Sequence, residues 1–88
     1  MMLAHKTDRI ASEVIRIISN TKALKSSRLR ENSNLNRDFG FDNLDVVDII
    51  LEVEKKFQIT IPDEVPLSTV GDFVRYVSSH TPRRFSWI

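Results

Sequence analysis

The run Asp38-Phe39-Gly40-Phe41-Asp42-Asn43-Leu44-Asp45, continued by Val46-Val47-Asp48-Ile49-Ile50-Leu51-Glu52-Val53-Glu54-Lys55-Lys56-Phe57, decides how the rest of the chain is read. A glycine turn gives way to an acidic helix start and then to a helix. At about 100° per residue, Val46, Ile49, Ile50, Val53 and Phe57 share one arc and form the core-facing set. Leu44, Val47 and Leu51 lie beside that arc and widen it beyond what core packing alone requires. Asp48 and Glu54 flank this strip, and Asp42 and Asp45 stand at the head of the helix. An apolar strip beside carboxylates suits a partner with apolar pockets and a basic rim. A second packing face against this chain's own residues explains the same periodicity, so both readings stay open.

The same run, aspartate, apolar residue, glycine, variable residue, aspartate, asparagine, leucine, resembles the acyl carrier protein family's motif of aspartate, apolar residue, glycine, variable residue, aspartate, serine, leucine. One position departs: Asn43 stands where that family has serine. The similarity continues through the acidic helix to Phe57, through Ile61-Pro62-Asp63-Glu64, and through Ser68-Thr69-Val70, covering roughly Lys6 to Ser79. It implies an all-α fold, a small four-helix bundle with a long loop between helices 1 and 2 and a short helix 3. It also implies 4'-phosphopantetheine, joined through a serine hydroxyl that attacks coenzyme A under a transferase's control. Asn43 breaks that last expectation, because the nitrogen lone pair of a carboxamide is delocalised into its carbonyl and is no substitute nucleophile. No hydroxyl lies between Ser33 and Thr60, so none can slip into register. As written, the chain is expected not to take the prosthetic group at Asn43.

Eighty-eight residues and 41% apolar content suit one small domain with one core. Without cysteine, neither a disulfide framework nor a thiolate metal site is available. The absence of a run of about 20 apolar residues makes a soluble cytoplasmic protein without stable membrane insertion the expectation. The formal charge of +1 hides an uneven distribution. Lys6, Arg9, Arg16, Lys22, Lys25, Arg28, Arg30 and Arg37 crowd the first part of the chain. Asp42, Asp45, Asp48, Glu52, Glu54, Asp63 and Glu64 dominate the middle. A local negative patch on the central helix steers a basic partner whatever the total charge.

Thr7 is expected to cap a first helix, with Asp8 near the positive end of its dipole. Ile10, Ala11, Val14, Ile17 and Ile18 give that helix its apolar stripe, while Arg9, Ser12, Glu13, Arg16 and Ser19 face away. From Thr21 to Asp42 no period persists, and Leu24, Leu29, Leu35 and Phe39 are expected to anchor the long connection over the helix ends. Its basic residues lack interleaved aromatics, which weighs against nucleic acid and favours a solvated loop or contacts with the chain's own acids. Asp42 or Asn43 begins the central helix. Gln58-Ile59-Thr60-Ile61 alternates like a strand that has nothing to pair with, and by resemblance is a loop with inward isoleucines. Pro62-Asp63-Glu64-Val65 is expected to start a short third helix, curtailed by Pro66. Ser68 or Thr69 caps a last helix, with Asp72 completing a capping box and Val70, Phe73, Val74 and Val77 facing inward. Residues 1–80 form the bundle, and 81–88, with Arg83, Arg84, Phe85 and Trp87, a basic aromatic tail, more commonly a frayed terminus or one folded back onto the bundle than a contact for a membrane surface or a partner.

No enzyme constellation emerges. His5 and His80 have no motif neighbours, Gly40 and Gly71 are the only glycines, and the helical spacing of Asp42, Asp45 and Asp48 suits a metal poorly. The resemblance implies a monomeric binding module of fatty-acid, polyketide or related acyl metabolism that meets acyl-chain synthases and transferases. Its predicted docking residues are Asp42, Leu44, Asp45, Val47, Asp48, Leu51 and Glu54, and Asn43 stands at the attachment position. Two alternatives accompany it: a regulatory or structural subunit that has lost the carrier role, and a functional carrier whose native serine has been substituted.

Overall fold

The computed structural model describes residues 6–81, with side chains described for 9–81. Four α-helices follow one another: α1 (Lys6–Thr21), α2 (Leu35–Phe39), α3 (Asn43–Phe57) and α4 (Val70–His80), with one 3-10 turn at Ser26–Arg28. The side chains of Thr7 and Asp8, and the tail from Pro82 onward, lie outside the described residues.

α1 packs against both α3 and α4. The stripes read from periodicity meet there. Ile10, Val14, Ile17 and Ile18 of α1, Ile49, Val53 and Phe57 of α3, and Val70, Phe73 and Val77 of α4 are buried together. Val46, Ile50 and Val74 pack against this core half-buried. Burial of each such side chain contributes about 1.5–3 kcal/mol, which is what holds a chain without covalent cross-links together.

The long connection is anchored as expected at Leu29 and Leu35, which are buried, and more loosely at Leu24 and Phe39. Its cationic start meets the chain's own acid, Lys22 Nζ lying 3.1 Å from Asp45. Two features were not legible in the sequence. A short helix, α2, forms inside the connection, its N–H groups capped by Asn34, whose side chain accepts from the Arg37 N–H at 2.8 Å. The connection is also stitched to the head of α4: Leu35 N–H donates to Ser68 O at 2.9 Å, Val70 N–H to Ser33 O at 3.1 Å, and Gly71 N–H to Glu31 O at 2.8 Å.

Several local expectations are corrected. Ser19 does not face away but is buried, its hydroxyl donating to Arg16 O at 3.0 Å and accepting from Ser26 at 3.3 Å. Those bonds let a hydroxyl sit at the helix end without an unmet donor. The segment after Ile61 is not a helix. It closes one turn, Val65 N–H to Pro62 O at 3.2 Å, and Pro66 then disfavours helical backbone at Val65. The short helix of this bundle is thus α2. Thr81, placed at the start of the tail, is buried as the C-cap of α4, its hydroxyl donating to Val77 O at 2.6 Å.

Candidate functional site at the head of α3

Gly40 ends α2 in left-handed conformation at φ +72°, a region where a side chain is strained, and its N–H satisfies the α2 carbonyls of Asn36 and Leu35. This reversal sends Phe41 into the core and brings Asp42 to the head of α3. Asn36 fixes the bend by donating from its amide to Phe41 O at 2.9 Å.

Asp42, not Asn43, is the N-cap. Its carboxylate accepts from the Asp45 N–H at 3.0 Å, and Asp45 reaches back to the Asp42 N–H at 3.1 Å. The Asp42 N–H holds the Asp45 carboxyl below the usual carboxylate range, outweighing partial desolvation, and Lys22 adds to the effect. Asp45 is therefore an anion committed to its own helix. Asn43 follows as the first helical residue and is exposed.

Beside Asn43 runs a groove of roughly 610 Å³ between α2, α3 and the segment before α4. Leu35, Phe41, Val46, Val47 and Leu67 supply apolar walls, and Asn43 and Ser68 stand among its polar lining. Ser68 was invisible as a neighbour of Asn43 in the sequence, because the backbone bonds between α2 and the head of α4 bring it there. Its backbone is committed, with its N–H donating to Asp72 at 2.8 Å and its carbonyl accepting from Leu35.

The outer face of α3 carries Leu44, Val47 and Leu51 at 75%, 48% and 51% exposure, so this strip is not a second packing face within the described residues. Asp48 and Glu52 lie exposed on the same helix. Glu54 is half-buried and has a local partner. Its carboxylate accepts the Ile61 N–H at 2.7 Å and fastens the loop after α3, helped by the left-handed Gln58 and by Tyr76, whose hydroxyl donates to Thr60 O at 3.0 Å. Asp42 and Asp45 are likewise engaged in the capping box, leaving Asp48 as the predicted docking carboxylate with no such local duty.

A phosphopantetheine arm needs an oxygen nucleophile, and the exposed residue at the head of α3 offers a carboxamide. Among the described residues no cluster of three His, Cys, Asp or Glu side chains is arranged to hold a metal ion, and no helix is long and apolar enough to cross a membrane.

Comparison with known proteins gives consistent findings. The family described as "Phosphopantetheine attachment site" matches residues 12–77. The acyl carrier protein of Rickettsia bellii (strain RML369-C) is 34% identical over 77 residues, covering 85% of this chain and 90% of that protein. That of Prochlorococcus marinus (strain MIT 9515) is 34% identical over 74 residues, covering 82% and 92%. "Acyl carrier protein 3, mitochondrial" of Arabidopsis thaliana is 32% identical over 81 residues, covering 90% of this chain and 62% of that one. Among solved structures, the apo doublet acyl carrier protein from prodigiosin biosynthesis superposes with a TM-score of 0.77 at 18% identity, covering 91% of this chain and 40% of that one, a likeness of fold.

Proposed function

This chain belongs to the acyl carrier protein family, and from that premise we propose that it serves acyl metabolism as a docking module that cannot be loaded at Asn43 as written. The family consists of carriers rather than enzymes, and its prosthetic group is 4'-phosphopantetheine. What carries the reading is the position of Asn43, first residue of α3, exposed, beside an apolar groove and next to an intact capping box. Everything that presents the attachment residue is built, and only the oxygen is missing.

Docking rests on Leu44, Val47, Leu51 and Asp48 of α3, which face a carrier-dependent enzyme bearing apolar pockets and a basic rim. Asp42 and Asp45 contribute charge from the capping box. The chain works as a monomer, and the setting is cytoplasmic, with an organelle matrix as the competing placement because one relative is named mitochondrial.

The test is mass spectrometry after incubation with coenzyme A and a broad-specificity phosphopantetheinyl transferase. The chain as given stays unmodified, and the Asn43→Ser variant gains one adduct on the peptide containing position 43. An adduct on the unaltered chain, whether at Ser68 or elsewhere, overturns the reading of Asn43. A variant that folds but stays unmodified favours instead a regulatory or structural subunit outside the carrier cycle.

A further inference from the structure

We propose that the groove across α2 from the Asn43 site, walled by Arg28, Arg30 and Arg37, is a binding site for a phosphate-bearing ligand. Among the described residues most cations have a carboxylate partner, while Arg9, Lys25, Arg28 and Arg30 have none. Arg16 pairs with Glu13 at 2.8 Å, Lys22 with Asp45 at 3.1 Å, Lys56 with Glu13 at 3.8 Å, Lys55 with Glu52 at 3.7 Å, and Arg75 with Asp72 at 2.9 Å and Glu31 at 3.3 Å. Arg28 and Arg30 make no ion pair among the described residues, yet both line the same groove, and Arg37 joins them from α2. Three arginines line one depression, and an oxyanion there accepts their forked N–H donors.

The groove's carboxylate, Asp38, does not cancel this charge. It accepts the Asn34 N–H at 2.9 Å and lies 3.4 Å from Arg37 Nε, which leaves the wall net positive. Arg28 sits over the Phe39 ring, 5.7 Å from its centroid, a cation–π contact with another residue of the groove wall.

The groove also holds a neutral donor. Ser33 is buried, only 7% exposed, and lines the same depression. Its oxygen accepts the Arg30 N–H at 2.9 Å, and its own O–H proton has no acceptor among the described residues. A buried hydroxyl with an unspent donor beside three guanidiniums is matched by a ligand that only accepts. The backbone beneath is fixed as well: Ser33 N–H returns to Arg30 O at 3.0 Å, and buried Leu29 and Leu35 hold the connection to the core on either side. The arginines are therefore exposed at their tips but anchored at their roots.

The test uses the full 88-residue chain and its backbone amide NMR shifts during titration at constant ionic strength with inorganic phosphate, pyrophosphate and glycerol 3-phosphate. Expected are saturable shifts confined to residues 27–39, with pyrophosphate binding more tightly than phosphate. The double variant Arg28→Ala with Arg30→Ala weakens binding by about tenfold or more while leaving the melting temperature unchanged, since both side chains are exposed. Arg30→Lys also weakens it, because an ammonium keeps the charge and loses the planar fork. A sedimentation arm with phosphatidic acid vesicles separates the sources: retention assigns the phosphate to a lipid headgroup, and its absence assigns it to a soluble ester. Three results overturn the proposal. They are shifts that never saturate or spread equally to Arg9 and Lys25, binding undiminished in the double variant, and affinity for a single-stranded oligonucleotide that rises with its length.

Discussion

Gly71 shows what a single residue does here. It lies in the first turn of α4, where alanine would ordinarily gain about 1 kcal/mol of helix propensity. A Cβ there would stand 2.8 Å from Glu31 Cγ and 2.9 Å from Glu31 O. The side chain can swing away, but the carbonyl is held by the Gly71 N–H itself at 2.8 Å. Overpacking of this kind costs about 1–3 kcal/mol, so Gly71→Ala is expected to destabilise the protein by roughly 1 kcal/mol net, read from urea unfolding midpoints. From the sequence Gly71 registers only as a weak spot in a helix. Its partner lies forty positions upstream by residue number, and no local pattern announces such a contact. Asn43 is the opposite case, since its place at the exposed head of α3 was legible from the flanking motif. Asn43→Ser is expected to leave stability within about 0.5 kcal/mol, because neither residue is buried or serves as the cap.

At the scale of the element, α3 divides its residues between two tasks, and substitution separates them. Leu44→Ala and Leu51→Ala are expected to change stability by no more than about 0.5 kcal/mol and to weaken binding to a carrier-dependent synthase, measured by calorimetry. Asp48→Lys should do the same, with a loss that shrinks as salt is added. Glu54→Ala behaves otherwise. It leaves the Ile61 N–H without its acceptor and is expected to cost about 1–3 kcal/mol of stability, detectable in the same unfolding experiment. Helical period revealed both the core arc and the outer strip, because each is a repeat along the chain. It could not reveal that Glu54 turns toward a backbone N–H beyond the helix end. For the same reason α2 went unread: five residues are too few for a period, and this helix exists through its cap and its stitching to Ser68.

At the scale of the molecule, among the described residues three helix heads depend on an ionised aspartate reaching back to a backbone N–H. Asp38 is held below the usual carboxylate range mainly by the Asn34 N–H, and Asp45 mainly by that of Asp42. For Asp72, desolvation raises the pKa, but the N–H groups of Ser68 and Thr69 together with Arg75 outweigh it. A carboxyl with a depressed folded pKa stabilises fully above its unfolded value of about 3.9, and the benefit vanishes as pH falls through the folded value. The melting temperature is thus expected to hold steady down to about pH 4 and then drop, followed by circular dichroism. Asp45→Asn and Asp72→Asn should each start lower at neutral pH and fall less steeply in acid. The backbone bonds joining Asn34 and Leu35 to the Ser68–Val70 segment have a mechanical corollary. They tie two sides of the hollow beside Asn43 into one wall, opposite the front of α3, whose far end Glu54 clasps to the loop behind it.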